Sequence, residues 1–261
     1  MIFIAITAFI PPPTTSVHAL EAFATLAQER PVRVAKSIDA SLPDTEDVRM
    51  RYSVVELTNR IREKQNLAPL KACDSLMEAA DAHAKDMATR NYFDHRSPDG
   101  KTMFDRLKPI VGVGFQGENI AAGQESPESA ISSWSRSPGH RANLLNRDFR
   151  EIGVGRATNE KSEYGTYWVQ DFCGRDEVWP VVINGEAFET TTTAVSLYIY
   201  APPQTVRMRI ANDNGDFGAW QPVAERIKWT IGSGKGVHLI TVQTENNDGI
   251  QTTASDTIRL K

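Results

Sequence analysis

"SWSRSPGHRANLLN", residues 133–146, packs a tryptophan, a Ser-Pro-Gly corner, a His-Arg pair and an amide-rich run into one short segment. Pro138 and Gly139 predict a helix stop and a turn. That turn delivers His140 at a fixed place. An imidazole so placed serves as a ligand, as a base or as packing, and the stretch alone leaves all three open.

The flanks turn this corner into a layered fold. Upstream, Ser126 is suited to cap a helix over "SPESAISSW", with Pro127 in its first turn and Glu128 at the positive end of the dipole. "GENIAAG" at 117–123 reads as a short strand between glycines, and "KTMFDRLKP" as a short helix after the turn in "NYFDHRSPDG". Leu76, Ala80, His83 and Met87 recur at steps of four, three and four, which predicts a buried stripe on a helix from Asp74 to Arg90. His83 in that stripe reads as a packed core histidine. An earlier helix is expected to start at an Asp44 cap, with Glu46 and Asp47 at its positive end and Val48, Tyr52, Val55 and Asn59 on one face. "NLAPL" at 66–70 ends it. Downstream, "EIGVGRA" and "GTYWVQDFC" read as two strands. Helices followed by a small sheet predict an α+β layer structure.

Beyond about residue 176 the texture changes. "AVSLYIY", "TVRMRIA", "RIKWTI", "VHLITVQT" and "DTIRL" are short, β-branched runs separated by glycine-bearing turns. Their spacing predicts an all-β sandwich of the immunoglobulin or fibronectin type III kind over 176–261. The acidic turn "NDNGD" at 212–216 lacks the ligand ladder and closing glutamate of a calcium loop and reads as a solvated hairpin turn.

Composition narrows the function classes. The 261 residues are 40% hydrophobic and 24% charged, which suits two modest globular domains. A formal net charge of −4 gives no basic footprint for nucleic acid. Five histidines and two cysteines exclude a Cys-rich zinc scaffold and a dense disulfide framework. The apolar run "MIFIAITAFI" followed by "SVHA" at 16–19 reads as a signal peptide over 1–19, with no positive side chain before the apolar run; as a membrane anchor it is too short. Residues 20–44, broken by Pro31 and Pro43, read as a linker. Cys73 and Cys173 allow one intrachain bridge. In an exported chain it would close about 100 residues, worth on the order of 4 kcal/mol in the chain-entropy model. In a cytosolic chain both are ordinary thiols.

"HAKDMATRNYFDHRSPDGKTMFDRL", "GENIAAG", "SSWSRSPGHRANLLNRDFREIGVG" and "GTYWVQDF" follow one another in the order and spacing of the CAP superfamily, which groups cysteine-rich secretory proteins, antigen 5 and plant pathogenesis-related proteins. The chain resembles its bacterial secreted branch over residues 50–175. The resemblance implies an α/β/α sandwich domain over 45–175 whose cleft is lined by two histidines and two acids. It assigns His95 and His140 as the histidines and Glu118 as the first acid. Ser137, three residues after Trp134, stands where animal members carry the second acid. Trp134 and Trp168 read as core.

Two neutral imidazoles and a carboxylate can hold zinc or another divalent ion, here exchangeably because no third strong protein ligand joins them beside Glu118. The resemblance implies an exported protein that binds a lipid, a sterol or a protein partner, with no transmembrane segment once the leader is gone. A secreted hydrolase acting on peptide or cell-wall material is the second expectation, with Glu118 as base, a histidine as acid or metal ligand, and Ser137, three residues from His140 but before a proline and without an evident oxyanion hole, as a candidate hydroxyl. A structural or adhesive role, with the sandwich touching a cell-surface glycan, is the third.

Overall fold

The computed structural model describes residues 45–112 and 114–261, together with the backbone of residues 5–8. The cleavage site of the expected leader, the linker at 20–44 and the Asp44 cap lie outside the described residues. Thr45 caps the first helix instead, its hydroxyl accepting from the Val48 amide at 3.3 Å.

That helix, α1 (Glu46–Glu63), is followed by β2 (Lys71–Ala72), α2 (Asp74–Arg90), α3 (Met103–Val111) and β3 (Phe115–Ala122). Next come α4 (Pro127–Arg136), α5 (Pro138–Leu144), β4 (Glu151–Thr158) and β5 (Thr166–Gly174). With β1 (Ala5–Ala8) these strands form one sheet in the order β1-β3-β5-β4-β2. α2 covers one face, and α1, α4 and α5 the other. The mixture of helices and sheet is the expected one, and the stripe Leu76, Ala80, His83 and Met87 is buried throughout.

Local chemistry explains the elements. α3 and α4 each begin with a reciprocal capping box, Thr102 with Asp105 and Ser126 with Ser129. Asn91 ends α2 in the left-handed region, which asparagine tolerates. α2 lies so close to β4 that a Cβ on Gly153 would sit 2.2 Å from the Leu76 backbone, and one on Gly155 2.1 Å from that of Ala80. Only glycine permits that approach. The helix stop falls where expected, α4 ending at Arg136 with Ser137 after it, but Pro138 then opens α5 at once, so His140 sits inside a short helix and not after a turn. Proline's fixed φ suits the first helical position, and a helix start is as good a use of Ser-Pro as a corner.

The backbone of β1 pairs antiparallel with β3, Ile6 opposite Glu118. Part of the leader-like run therefore supplies the edge of the sheet beyond β3.

The second half holds β6 (Val181–Ile183), β7 (Glu189–Thr190), β8 (Ala194–Ile199), β9 (Thr205–Asn212), β10 (Gln221–Pro222), β11 (Arg226–Thr230), β12 (Gly236–Asn246) and β13 (Gln251–Leu260). They form sheets ordered β10-β9-β12-β13-β7 and β11-β8-β6. One apolar cluster draws Val195, Leu197 and Ile199 from the smaller sheet and Ile210, Ile240 and Ile258 from the larger. The acidic turn is structural, as expected: Asp213 accepts from the Leu239 amide and from His238 Nδ1, both at 2.9 Å.

The halves are joined by a buried charge cluster. Lys71 of β2 donates to Glu186 at 2.8 Å and to Asp256, and all three side chains are essentially inaccessible. Burial and the neighbouring Asp256 charge push the Glu186 carboxyl up to about 8, against the opposing pull of Lys71. Asn59 Nδ2 adds bonds to the Leu70 and Gly185 carbonyls, at 2.9 and 3.0 Å.

Candidate functional site

Glu118 is the centre of the site and is completely buried. β3 aims its side chain toward the α2 face, because Ile120 and Ala122, two and four residues on, pack with Ala80 and Ala84 there. His95, on the loop before α3, donates from Nδ1 to Glu118 Oε1 at 2.7 Å. Arg106 of α3 donates from Nη2 to Oε2 at 2.5 Å, and from Nη1 to the His95 carbonyl at 3.0 Å. Burial alone would raise the Glu118 carboxyl, but the His95 bond and the Arg106 charge outweigh it and hold it at about 2.

Opposite Glu118 in the β3–β5 register stands Asp171, also fully buried. Among the described residues neither of its carboxyl oxygens meets a hydrogen-bond donor. Burial and the adjacent Glu118 charge push its carboxyl well above the usual range, which favours its protonated form. The two acids are thus pushed in opposite directions, Glu118 toward the carboxylate and Asp171 toward the acid.

His140 approaches the same strand from α5. Asn119, which faces away from Glu118 along β3, donates to the His140 carbonyl at 3.3 Å. Asn143 donates to the Glu118 carbonyl at 3.1 Å and to Asn119 Oδ1 at 2.9 Å, so the "HRAN" segment ties α5 to β3 as its amides suggested. Asn146 accepts from the Asp148 amide, whereas Arg141 is exposed. Ser137 makes no hydrogen bond to His140 among the described residues, and its side chain forms no capping bond. Trp134 and Trp168 are core, their indole N–H groups bonded to the Ile120 and Gln124 carbonyls at 3.1 and 2.7 Å. His83 is a buried neutral histidine, lowered to about 4 chiefly by burial, with Nε2 3.2 Å from the Asp94 carbonyl.

Two residues of this network were not singled out from sequence. Arg106 lies in the quoted "FDRL" but carries no motif of its own. Asp171 had a signal: an acid inside a strand whose neighbours on both sides are apolar or aromatic.

A resident divalent ion does not fit this donor set. Glu118 has both oxygens engaged, and a cation there would meet the Arg106 guanidinium. Among the described residues no group of three His, Cys, Asp or Glu side chains stands ready to hold a metal. Cys73 and Cys173 are free thiols: Cys73 Sγ lies 3.3 Å from Ser75 Oγ, and Cys173 Sγ 3.3 Å from a Glu151 oxygen.

Residues 55–172 match the family model described as CAP, the cysteine-rich secretory protein family. Over 124 residues the chain is 45% identical to the uncharacterized protein YkwD of Bacillus subtilis (strain 168), covering 47% of this chain and 46% of that one. Over 104 residues it is 41% identical to the uncharacterized membrane protein YlbC of the same organism, covering 39% and 30%. The chain therefore spans less than half the length of the curated relatives it matches. Among solved structures, it is similar to an extracellular protein containing an SCP domain from Bacillus anthracis str. Ames, with 36% identity, a TM-score of 0.45 and coverage of 52% of this chain and 45% of that one. Over residues 55–172 the chain is thus similar to the CAP family and to bacterial proteins of that kind.

Proposed function

We propose that the protein works outside the cytoplasm as a ligand-binding CAP protein and not as a hydrolase. One observation carries this reading: Glu118, the acid on which a hydrolytic mechanism would turn, has both oxygens committed to His95 and Arg106. A carboxylate held at about 2 is a poor proton acceptor near neutrality. Among the described residues the Ser137 side chain makes neither a capping bond nor a bond to a histidine, so a serine nucleophile gains no support. Residues 1–10 read from sequence as a leader, but Ala5–Ala8 also pair with β3, so the export reading rests on the resemblance to the secreted branch.

The ligand classes we propose are those of the family: a lipid, a sterol or a protein partner. A divalent ion at His95, His140 and Glu118 would compete with Arg106 and bind weakly and exchangeably. The test is release of dye from labelled peptidoglycan and labelled casein by the wild type and by Glu118→Gln. Equal background release supports binding alone; release by the wild type that is lost in the variant contradicts it.

Adhesion through the sandwich is the second reading, favoured by the placement of Trp220. It lies half-buried with the Arg207 and Arg209 guanidinium groups 4.6 and 4.5 Å from its ring, and not in the apolar cluster between the sheets. An aromatic flanked by arginines suits an anionic glycan. Loss of cell-surface adhesion in Trp220→Ala, with Glu118→Gln unaffected, is the outcome that reading requires.

A further inference from the structure

A groove of about 490 Å³ runs between α1 and the β11-β8-β6 sheet, remote from Glu118. One wall is a stripe of α1, Glu56, Arg60 and Glu63, spaced at four and three so that all share a face. The other is the outward face of the sheet, which carries two cross-strand rows. Val182, Tyr198 and Arg226 form one row through the β6–β8 and β8–β11 registers. Ser196 stands opposite Lys228 in the other, beside Asn184. Residues between these, such as Val181, Ile183 and Leu197, turn inward to the apolar cluster.

The walls come from different halves of the chain, yet they are fixed against each other. The Lys71, Glu186 and Asp256 cluster, the Asn59 bonds to Leu70 and Gly185, and the Tyr200 hydroxyl bond to the Pro69 carbonyl at 3.0 Å all lie at this junction. The groove is preformed, which spares a ligand the cost of ordering it. Its volume falls within the roughly 300–1,000 Å³ range of small-molecule sites.

Its charges are laid out with one sign on each wall. Glu56 and Arg60 neutralise each other at 2.6 Å. Among the described residues Glu63 and Lys228 have no ion-pair partner. Arg226 lies over the Tyr198 ring at 4.7 Å, with only Glu225 near it at 3.8 Å. The helix wall thus presents one free carboxylate and the sheet wall two cations. Between them Asn184, which lines the groove, uses its Oδ1 to accept from the Ser196 amide and hydroxyl, and among the described residues its Nδ2 makes no hydrogen bond, so its donors remain for a carbonyl.

We propose that this groove binds a short peptide with free ends, its carboxylate on Lys228 and Arg226, its ammonium on Glu63 and a backbone carbonyl on Asn184. The inference is independent of the ligand assigned to the CAP cleft and stands whether or not Glu118 is catalytic. The test is titration calorimetry of the full chain with trialanine, N-acetyl-trialanine and trialanine amide. Trialanine binds with one equivalent, and each capped peptide binds about fivefold more weakly, the scale of one solvent-exposed ion pair. Lys228→Glu and Glu63→Lys, both surface changes that leave the fold intact, each weaken trialanine by a similar factor, while Glu118→Gln does not. Absence of trialanine binding, or equal affinity for the three peptides, overturns the proposal.

Discussion

Glu118 and Asp171 face each other across the β3–β5 register, both fully buried, the first bonded to Arg106 and His95 and the second beside it. Two ionised carboxylates so placed would repel in a low-dielectric interior, which raises the Asp171 carboxyl and favours its protonated form.

Asp171→Asn is therefore expected to be tolerated. The folded carboxyl is raised above its unfolded value, so the stability it contributes is fully present below about pH 4 and is lost as pH rises through the folded value. Asparagine removes that loss. Chemical denaturation at pH 8 is predicted to find the variant at least as stable as the wild type, with a gain of up to about 1–3 kcal/mol, shrinking toward pH 4. A variant clearly less stable at pH 8 would show that the ionised form is the native one.

Arg106→Ala removes the clamp and leaves a buried carboxylate with a single partner. Its expected cost is about 3–5 kcal/mol. The same change frees a Glu118 oxygen beside His95, so zinc calorimetry on folded protein is predicted to give a stoichiometric heat in the variant and only weak, unsaturated binding in the wild type. Tight one-equivalent binding by the wild type would mean that Arg106 yields to the ion.

The Lys71 cluster predicts that the two halves unfold together. Lys71→Met strands two acids and is expected to cost about 3–5 kcal/mol. Glu186 also sets a pH slope: raised from 4.5 to about 8, it contributes stability that is complete below its unfolded value and gone once pH has passed the folded value. Denaturation midpoints of the wild type should fall between pH 5 and 9, and Glu186→Gln should flatten that fall. Two separate thermal transitions would show that the junction is not cooperative.

The order of elements was legible because each had a local cause. Asp74 to Arg90 was readable from one stripe, and α4 from Ser126, Pro127 and Glu128, since periodicity and capping act within a few residues. Ser137-Pro138-Gly139 shows the helix stop but not the restart, because Ser-Pro starts helices as well as turns, and Asn143 of the new helix bonds Asn119 of β3. His95 and Glu118 were found through resemblance, not spacing. Arg106 escaped because an arginine twelve residues from its carboxylate has no period to betray it. Lys71 and Asp256, 185 residues apart, meet only through the joining of the two halves.

The cysteines offer a simple count. With Cys73 and Cys173 both free, reaction of the unfolded, unreduced protein with a thiol reagent should give two equivalents. Zero equivalents would mean a bridge across the sheet that this packing does not contain.

The central claim is that Glu118 is a clamped structural anion and not an acid–base catalyst. The most direct test is a carbon-13 NMR titration of the glutamate carboxyls, with Glu118 assigned by its absence in Glu118→Gln. The account predicts a Glu118 resonance that stays ionised from pH 8 down to pH 4 and begins to move only toward about pH 2. A midpoint between pH 5 and 7 would contradict it and return Glu118 to catalytic candidacy.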